Sequence, residues 1–275
     1  MSLSSFLEKK DVRARFRQEF SKPKLGENRT LLAPPLTGNY RLVGTAFDYL
    51  MRFYLKMLNP QAVEAGWIAE ITLNVLKQQG ANRLYQQAFF ILTQARENYT
   101  EFLKTQEITD DLIRSSVQLA KLDVIYRARR IDPNLQQVEP ADIEDMKALI
   151  NLVEWTQFKT EGVVVLNPSF GLGSVKVREA DADLVIDDLL IDIKTTKNFK
   201  LEQDNFNQLI GYYTLSKIDA IDGAPPRHEI KRLGIYYSRY AYLFVFNVAD
   251  VVPLLTFPQF LEWFEERADL NHSSD

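Results

Sequence analysis

The spacing of apolar side chains gives this chain two textures, which meet near Glu161. Before that point apolar residues recur every three or four positions, as amphipathic helices require. Residues 3–20 read as a short helix, and Ser21 to Pro35 as a connector broken by proline and glycine. A helical region beginning near Gly44 carries Leu50, Phe53, Tyr54, Met57 and Leu58 at helical spacing and stops at Asn59-Pro60. Helical runs follow over about 61–79 and 82–105, separated at Gln79-Gly80. Thr109, with Asp110 and Asp111 behind it, has the character of an N-cap. The helix it opens runs through Leu112, Ile113, Val117, Leu119, Leu122 and Ile125 to a basic end at Arg127, Arg129 and Arg130. After a loop from Asp132 to Pro140, a helix over about 142–158 carries Met146, Leu149, Ile150, Val153 and Trp155.

Beyond Glu161 strand-forming residues take over. Val163 to Leu166 is a strand, Asn167 to Gly173 a turn, and Val175 to Lys194 a hairpin folded at Asp187-Asp188. Aspartate tolerates turn geometry, which suits both residues to that place. If Ile186 faces Leu189, then Val185 faces Leu190, Leu184 faces Ile191, Asp183 faces Asp192, and Asp181 faces Lys194. Side chains alternate between the faces of a strand, so Asp181, Asp183, Asp192 and Lys194 emerge on one side. Leu201 to Ser216 is helical, with Phe206, Leu209, Ile210 and Tyr213 as its core stripe. A loop from Asp219 to Arg227, strands near 230–237 and 241–247, and a helix from Phe257 to about Leu270 complete the chain. This order predicts an α+β fold with one mixed sheet behind a mostly helical first half. The expected divisions are a basic helix and connector over 1–40, a helical region over 41–141, and a core over 142–275.

Composition removes whole classes of chemistry. With no cysteine, disulfides, thiolate metal sites and cysteine nucleophiles are excluded, and two histidines, His228 and His272, cannot build a histidine-rich zinc site. There is no apolar run near the roughly 20 residues of a membrane span and no signal-peptide layout, so a cytoplasmic, membrane-free protein is expected. The net charge is −4, yet seven basic residues stand against Asp11 and Glu19 between Lys9 and Lys24, a local charge of +5. Phosphate binding needs only such a local surface, though a solvated charged helix face is the favoured reading of it.

The chemistry lies in the hairpin. Two facing carboxylates have Cβ atoms roughly 5 Å apart and repel one another, so Asp183 and Asp192 call for a cation between them. Lys194 would share their face and offset part of the repulsion. Each piece has an ordinary explanation on its own. An Asp-x-Lys on a strand is usually a surface ion pair worth about 0–1 kcal/mol, Asp181 reads as a flanking acid, and Asp48 as an acid in a helix's first turn. Lys197, Lys200 and Arg239 are placed to contact phosphates or simply to face solvent. Tyr236, Tyr237, Tyr240 and Tyr242 could stack bases or pack as strand residues.

Together these residues resemble the PD-(D/E)XK nuclease superfamily, in its RecB-like exonuclease branch. Asp183 and Asp192-Ile193-Lys194 match its paired-strand motif, and Gln208-Leu209-Ile210-Gly211-Tyr212 matches its QxxxY helix. Gly44-Thr45-Ala46-Phe47-Asp48 is similar to its GTxxH motif, with Asp48 where the histidine is expected. The resemblance covers roughly 40–58 and 160–240 and leaves 60–140 unmatched. It implies a restriction-endonuclease-like core, a mixed sheet flanked by helices, and metal-dependent hydrolysis of DNA, with RNA not excluded, in repair or defence. Asp183, Asp192, the backbone carbonyl of Ile193 and Asp48 would hold Mg²⁺ or Mn²⁺. Lys194 would orient or deprotonate the attacking water, and Gln208 and Tyr212 would contact nucleic acid or brace the ligands. Two other readings remain open: a silent nuclease-fold protein that binds nucleic acid or a partner, and a glycoside hydrolase using the paired acids.

Overall fold

The computed structural model describes residues 2–26, 28–128, 132 and 134–272. Arg129 and Arg130 of the expected basic helix end lie outside them. The first half holds α1 (Leu3–Leu7), α2 (Lys10–Glu19), α3 (Tyr40–Leu58), β1 (Val63–Glu64), α4 (Ile68–Gln78), α5 (Asn82–Thr105), α6 (Asp110–Ala128) and α7 (Pro140–Ile150). The second holds β2 (Val164–Leu166), α8 (Gly171–Lys176), β3 (Leu184–Ile186), β4 (Leu189–Lys194), α9 (Gln203–Ile218), β5 (Arg232–Tyr237), β6 (Tyr242–Asn247), α10 (Val248–Val251) and α11 (Phe257–His272).

The described strands form one open, mixed, six-stranded sheet in chain order, β1 to β6. The β1–β2 and β4–β5 pairs are parallel, and the other three are antiparallel. A parallel neighbour needs a crossover, and α9 supplies the one from β4 to β5, which lays this helix across the sheet. Period-two alternation fills both faces. Val164, Leu166, Leu184, Ile186, Leu189 and Ile191 pack into one core with α3 to α7. Val165, Val185, Leu190, Leu233 and Ile235 pack into a second core with α1, α2, α9 and α11. The sheet is therefore a middle layer between helices, and Asp192 and Lys194 share the parity of the face turned toward α9.

The expected α+β order holds, with local corrections. The first helix is two, because Lys9 is extended. The break lets Leu3 reach α9 while Phe16 meets Phe260 of α11 edge-on at 5.2 Å. Helix α3 starts a turn before Gly44. Two residues of the 61–79 run form β1, too short to show a period. The expected 142–158 helix stops at Ile150 and resumes as a 3₁₀ turn over Trp155–Phe158. The first arm of the expected hairpin is also shorter, since Gly171–Lys176 is the helix α8. No described helix is long and apolar enough to cross a membrane.

Candidate active site

The hairpin turn is built as its sequence suggests. Asp187 takes the left-handed conformation at φ 50°, and its carboxylate accepts bonds from the Val163 amide (3.1 Å) and the Thr160 hydroxyl (2.9 Å). Asp188 accepts from Arg232 Nε at 2.9 Å. The two turn acids thus anchor the starts of β2 and β5. Leu184–Ile191, Val185–Leu190 and Ile186–Leu189 pair as expected.

The ladder stops one pair short of the acids, and that departure shapes the site. At Asp183 the chain turns away from β4 while its carbonyl still accepts from Asn167 N–H at 2.9 Å. The Asp183 carboxylate takes over the vacated bond, accepting from Ile193 N–H at 2.6 Å. Asp181, expected opposite Lys194, instead bridges to Ser169 and pairs with Arg127 of α6 at 2.8 Å. Asp192 is 2% exposed, and Lys194 Nζ lies 2.8 Å from its Oδ2 and 3.1 Å from its Oδ1. The bond geometry is satisfied only at Oδ1, so Oδ2 is buried with no hydrogen bond aimed at it.

Helix α9 completes one wall. Lys194 Nζ donates to Gln208 Oε1 at 3.0 Å, and Gln208 Nε2 donates to the Tyr212 hydroxyl at 2.8 Å. Residues i and i+4 share a helix face, which is why both meet the strand. Between them Gly211 admits Leu3 of α1, since a Cβ there would lie 3.1 Å from both Leu3 methyls. From α3, Gly44, Thr45 and Asp48 form another wall of the same cavity of about 310 Å³, beside Asp183, Asp192, Ile193, Lys194, Gln208 and Tyr212. Every residue expected at the site lines this cavity.

Sequence reasoning missed its cationic wall. Arg52 and Arg127 also line it. Arg52 is buried, pairs with Asp48 Oδ2 at 2.8 Å and lies 4.4 Å from the centre of the Tyr49 ring. Tyr49 in turn donates to Asp123 at 2.7 Å. The four-residue spacing of Asp48 and Arg52 was a readable signal; the reach of Arg127 from α6 was not.

The field in this cavity is strongly acidic. Burial, then the charges of Asp192 and Asp48, push the Asp183 carboxyl well above the usual carboxylate range, against the pull of Lys194 and the Ile193 amide. Burial raises Asp192 against the pull of Lys194, and raises Asp48 against that of Arg52. Burial alone would lower Lys194, but Asp192 and Asp183 outweigh it and hold the ammonium above its ordinary value. Asp48 Oδ1, like Asp192 Oδ2, is buried without a hydrogen bond. An oxygen left like Asp48 Oδ1 calls for a partner, whereas Asp192 Oδ2 already has the Lys194 ammonium at 2.8 Å. No protein-family model, curated protein or solved structure matches the chain. The geometry therefore has to carry the functional reading by itself. Among the described residues no three acidic or histidine side chains gather to hold a metal. Two carboxylates, with a backbone carbonyl and water, fit Mg²⁺, which commonly takes only one or two carboxylates from a protein.

Several expected contacts are not at the site. Arg239 is a buried residue, 1% exposed, forked onto Asp145 of α7 at 2.8 and 2.9 Å and donating to Ala33 carbonyl at 3.0 Å. It ties the connector and α7 to the sheet and is closed to phosphate. Tyr236, Tyr237 and Tyr240 are buried, and Tyr242 lies 3.7 Å beneath the Arg29 guanidinium. They pack; they do not present faces to bases. Lys200 pairs with Glu202 at 3.3 Å.

Proposed function

We propose that this chain is a divalent-metal-dependent nuclease with a restriction-endonuclease-like core, hydrolysing DNA phosphodiester bonds. One observation carries the reading: Asp183, Asp192 and the Lys194 ammonium line one open cavity, two carboxyl groups against a single lysine. Asp183 also satisfies the Ile193 amide, yet two carboxylates facing one cavity repel one another. Asp183, Asp192 and the Ile193 carbonyl would hold Mg²⁺ or Mn²⁺, which when bound neutralises phosphate charge and makes water a stronger nucleophile, whereas Asp48 is held by Arg52. Lys194, beside Asp192 at 2.8 Å, would orient or deprotonate the attacking water. Gln208 fixes where that ammonium points, and Tyr212 braces Gln208.

The test is cleavage of end-labelled linear and circular DNA with Mg²⁺ or Mn²⁺. Asp183→Ala, Asp192→Ala and Lys194→Ala should each abolish cleavage while leaving the circular dichroism spectrum unchanged. Cleavage retained by Asp192→Ala would contradict the reading. The rival, a nuclease-fold protein that binds without cutting, draws on one observation: Asp48 is already neutralised by Arg52. Metal-independent binding with no cleavage of either DNA would favour it.

A further inference from the structure

A second concavity, about 820 Å³, opens beside the catalytic cavity and shares Thr45, Asp123 and Arg127 with it as a common wall. Its outer wall is the first turn of α3, with Tyr40 and Arg41, and its floor includes Val124 of α6. Tyr40 is 51% exposed and Val124 39% exposed. Lys197, three residues beyond the end of β4, brings its ammonium to 5.9 Å from the centre of the Tyr40 ring. Arg41 and Lys197 are both exposed. A half-exposed tyrosine with two exposed cations beside it is a surface that an anionic, base-bearing partner can cover. It is also the combination that non-sequence-specific strand binders use, with cations following the phosphates and an aromatic face taking a base. Burial raises Asp123 at the junction to about 7, so it opposes a passing phosphate less than an ordinary carboxylate would.

We infer that this groove is the entry track for a single-stranded nucleic acid, with Tyr40 stacking on a base and Arg41 and Lys197 contacting the backbone as the strand runs toward Asp192. The inference rests on the nuclease reading for its destination. It is specific to an unpaired strand because bases in a duplex already stack on one another, and freeing one costs a few kcal/mol. DNA and RNA strands share this chemistry.

Fluorescence anisotropy on the full chain in EDTA tests the groove without cleavage, using short oligothymidylate, oligouridylate and a blunt DNA duplex as probes. Tyr40→Leu should weaken single-strand binding roughly 5- to 150-fold, the loss of one stacked base at about 1–3 kcal/mol. Tyr40→Phe should retain wild-type affinity, and Arg41→Gln should flatten the salt dependence by about one phosphate contact. The duplex should bind weakly and ignore Tyr40→Leu. Stronger binding of one oligonucleotide would identify the sugar preferred. No single-strand binding by the wild type, equal binding by Tyr40→Leu, or duplex binding with the same dependence on Tyr40 would overturn the inference. Hydrolysis of bis(p-nitrophenyl) phosphate by the wild type with Mn²⁺ is scored separately. Its absence counts against the nuclease reading, whereas the groove stands or falls on the binding curves.

Discussion

Replacing Asp145 by alanine removes one half of a pair that has no water around it. Arg239 is 1% exposed and Asp145 0%, and the guanidinium forks onto both carboxylate oxygens at 2.8 and 2.9 Å. Its other acceptor among the described residues, the Ala33 carbonyl at 3.0 Å, is neutral. Asp145→Ala therefore leaves a buried cation uncompensated, a loss of about 3–5 kcal/mol. For a chain of this size that corresponds to a melting point lower by roughly 10 °C. The double change Asp145→Leu with Arg239→Met removes both charges and should recover most of the loss, since buried pairs are often replaceable by apolar residues of similar volume. Urea unfolding of the wild type, Asp145→Ala, Arg239→Met and the double variant measures the loss and its recovery, and thermal melts measure the shift in melting point. A loss below about 1 kcal/mol for Asp145→Ala, the value of an exposed pair, would refute the reasoning. The same variants separate clamp from substrate contact: Arg239→Met should change stability and leave the KM for DNA where it was.

Two further predictions concern the walls of the site. Burial raises Asp123 from 3.8 to about 7, so the folded state holds this proton more tightly than the unfolded chain. Its contribution to stability is fully present below about pH 4 and is lost as the pH rises through about 7, on the order of 4 kcal/mol in total. Asp123→Asn, which can still accept from Tyr49, should be more stable than wild type at pH 8, with the gap closing toward pH 4 in thermal melts; a pH-independent gap would contradict this. Gly211→Ala gains about 1 kcal/mol of helix propensity but drives a Cβ to 3.1 Å from the Leu3 methyls, an overpacking worth roughly 1–3 kcal/mol. It should be neutral to destabilising alone, and Leu3→Ala should relieve it. Additive effects in that double-mutant cycle would mean that α1 does not pack on α9 as described.

The central register was legible because a two-residue turn and period-two alternation constrain each other. With Ile186 opposite Leu189, Asp183 and Asp192 had to share a face. The α9 residues were legible for a similar reason, since Gln208 and Tyr212 are one turn apart on the helix that crosses over β4. What escaped was set by distant partners. Asp181 is drawn from Lys194 by Arg127, on a helix 54 residues earlier. Arg239 looked like a surface cation because its partner Asp145 lies 94 residues away. Strand β1, at two residues, carries no period at all. Arg52 is the exception, a local i+4 partner of Asp48 that reasoning from motifs passed over.

On the proposed reading, Asp183 and Asp192 together hold a divalent cation. Isothermal titration calorimetry of Mn²⁺ and Mg²⁺ into the wild type, Asp183→Asn and Asp192→Asn at pH 8 tests it without reference to any substrate. Saturable binding to the wild type that disappears in both variants, with each variant still folded, is the predicted result. A wild type that binds neither ion, or an Asp192→Asn variant that binds as the wild type does, would contradict it.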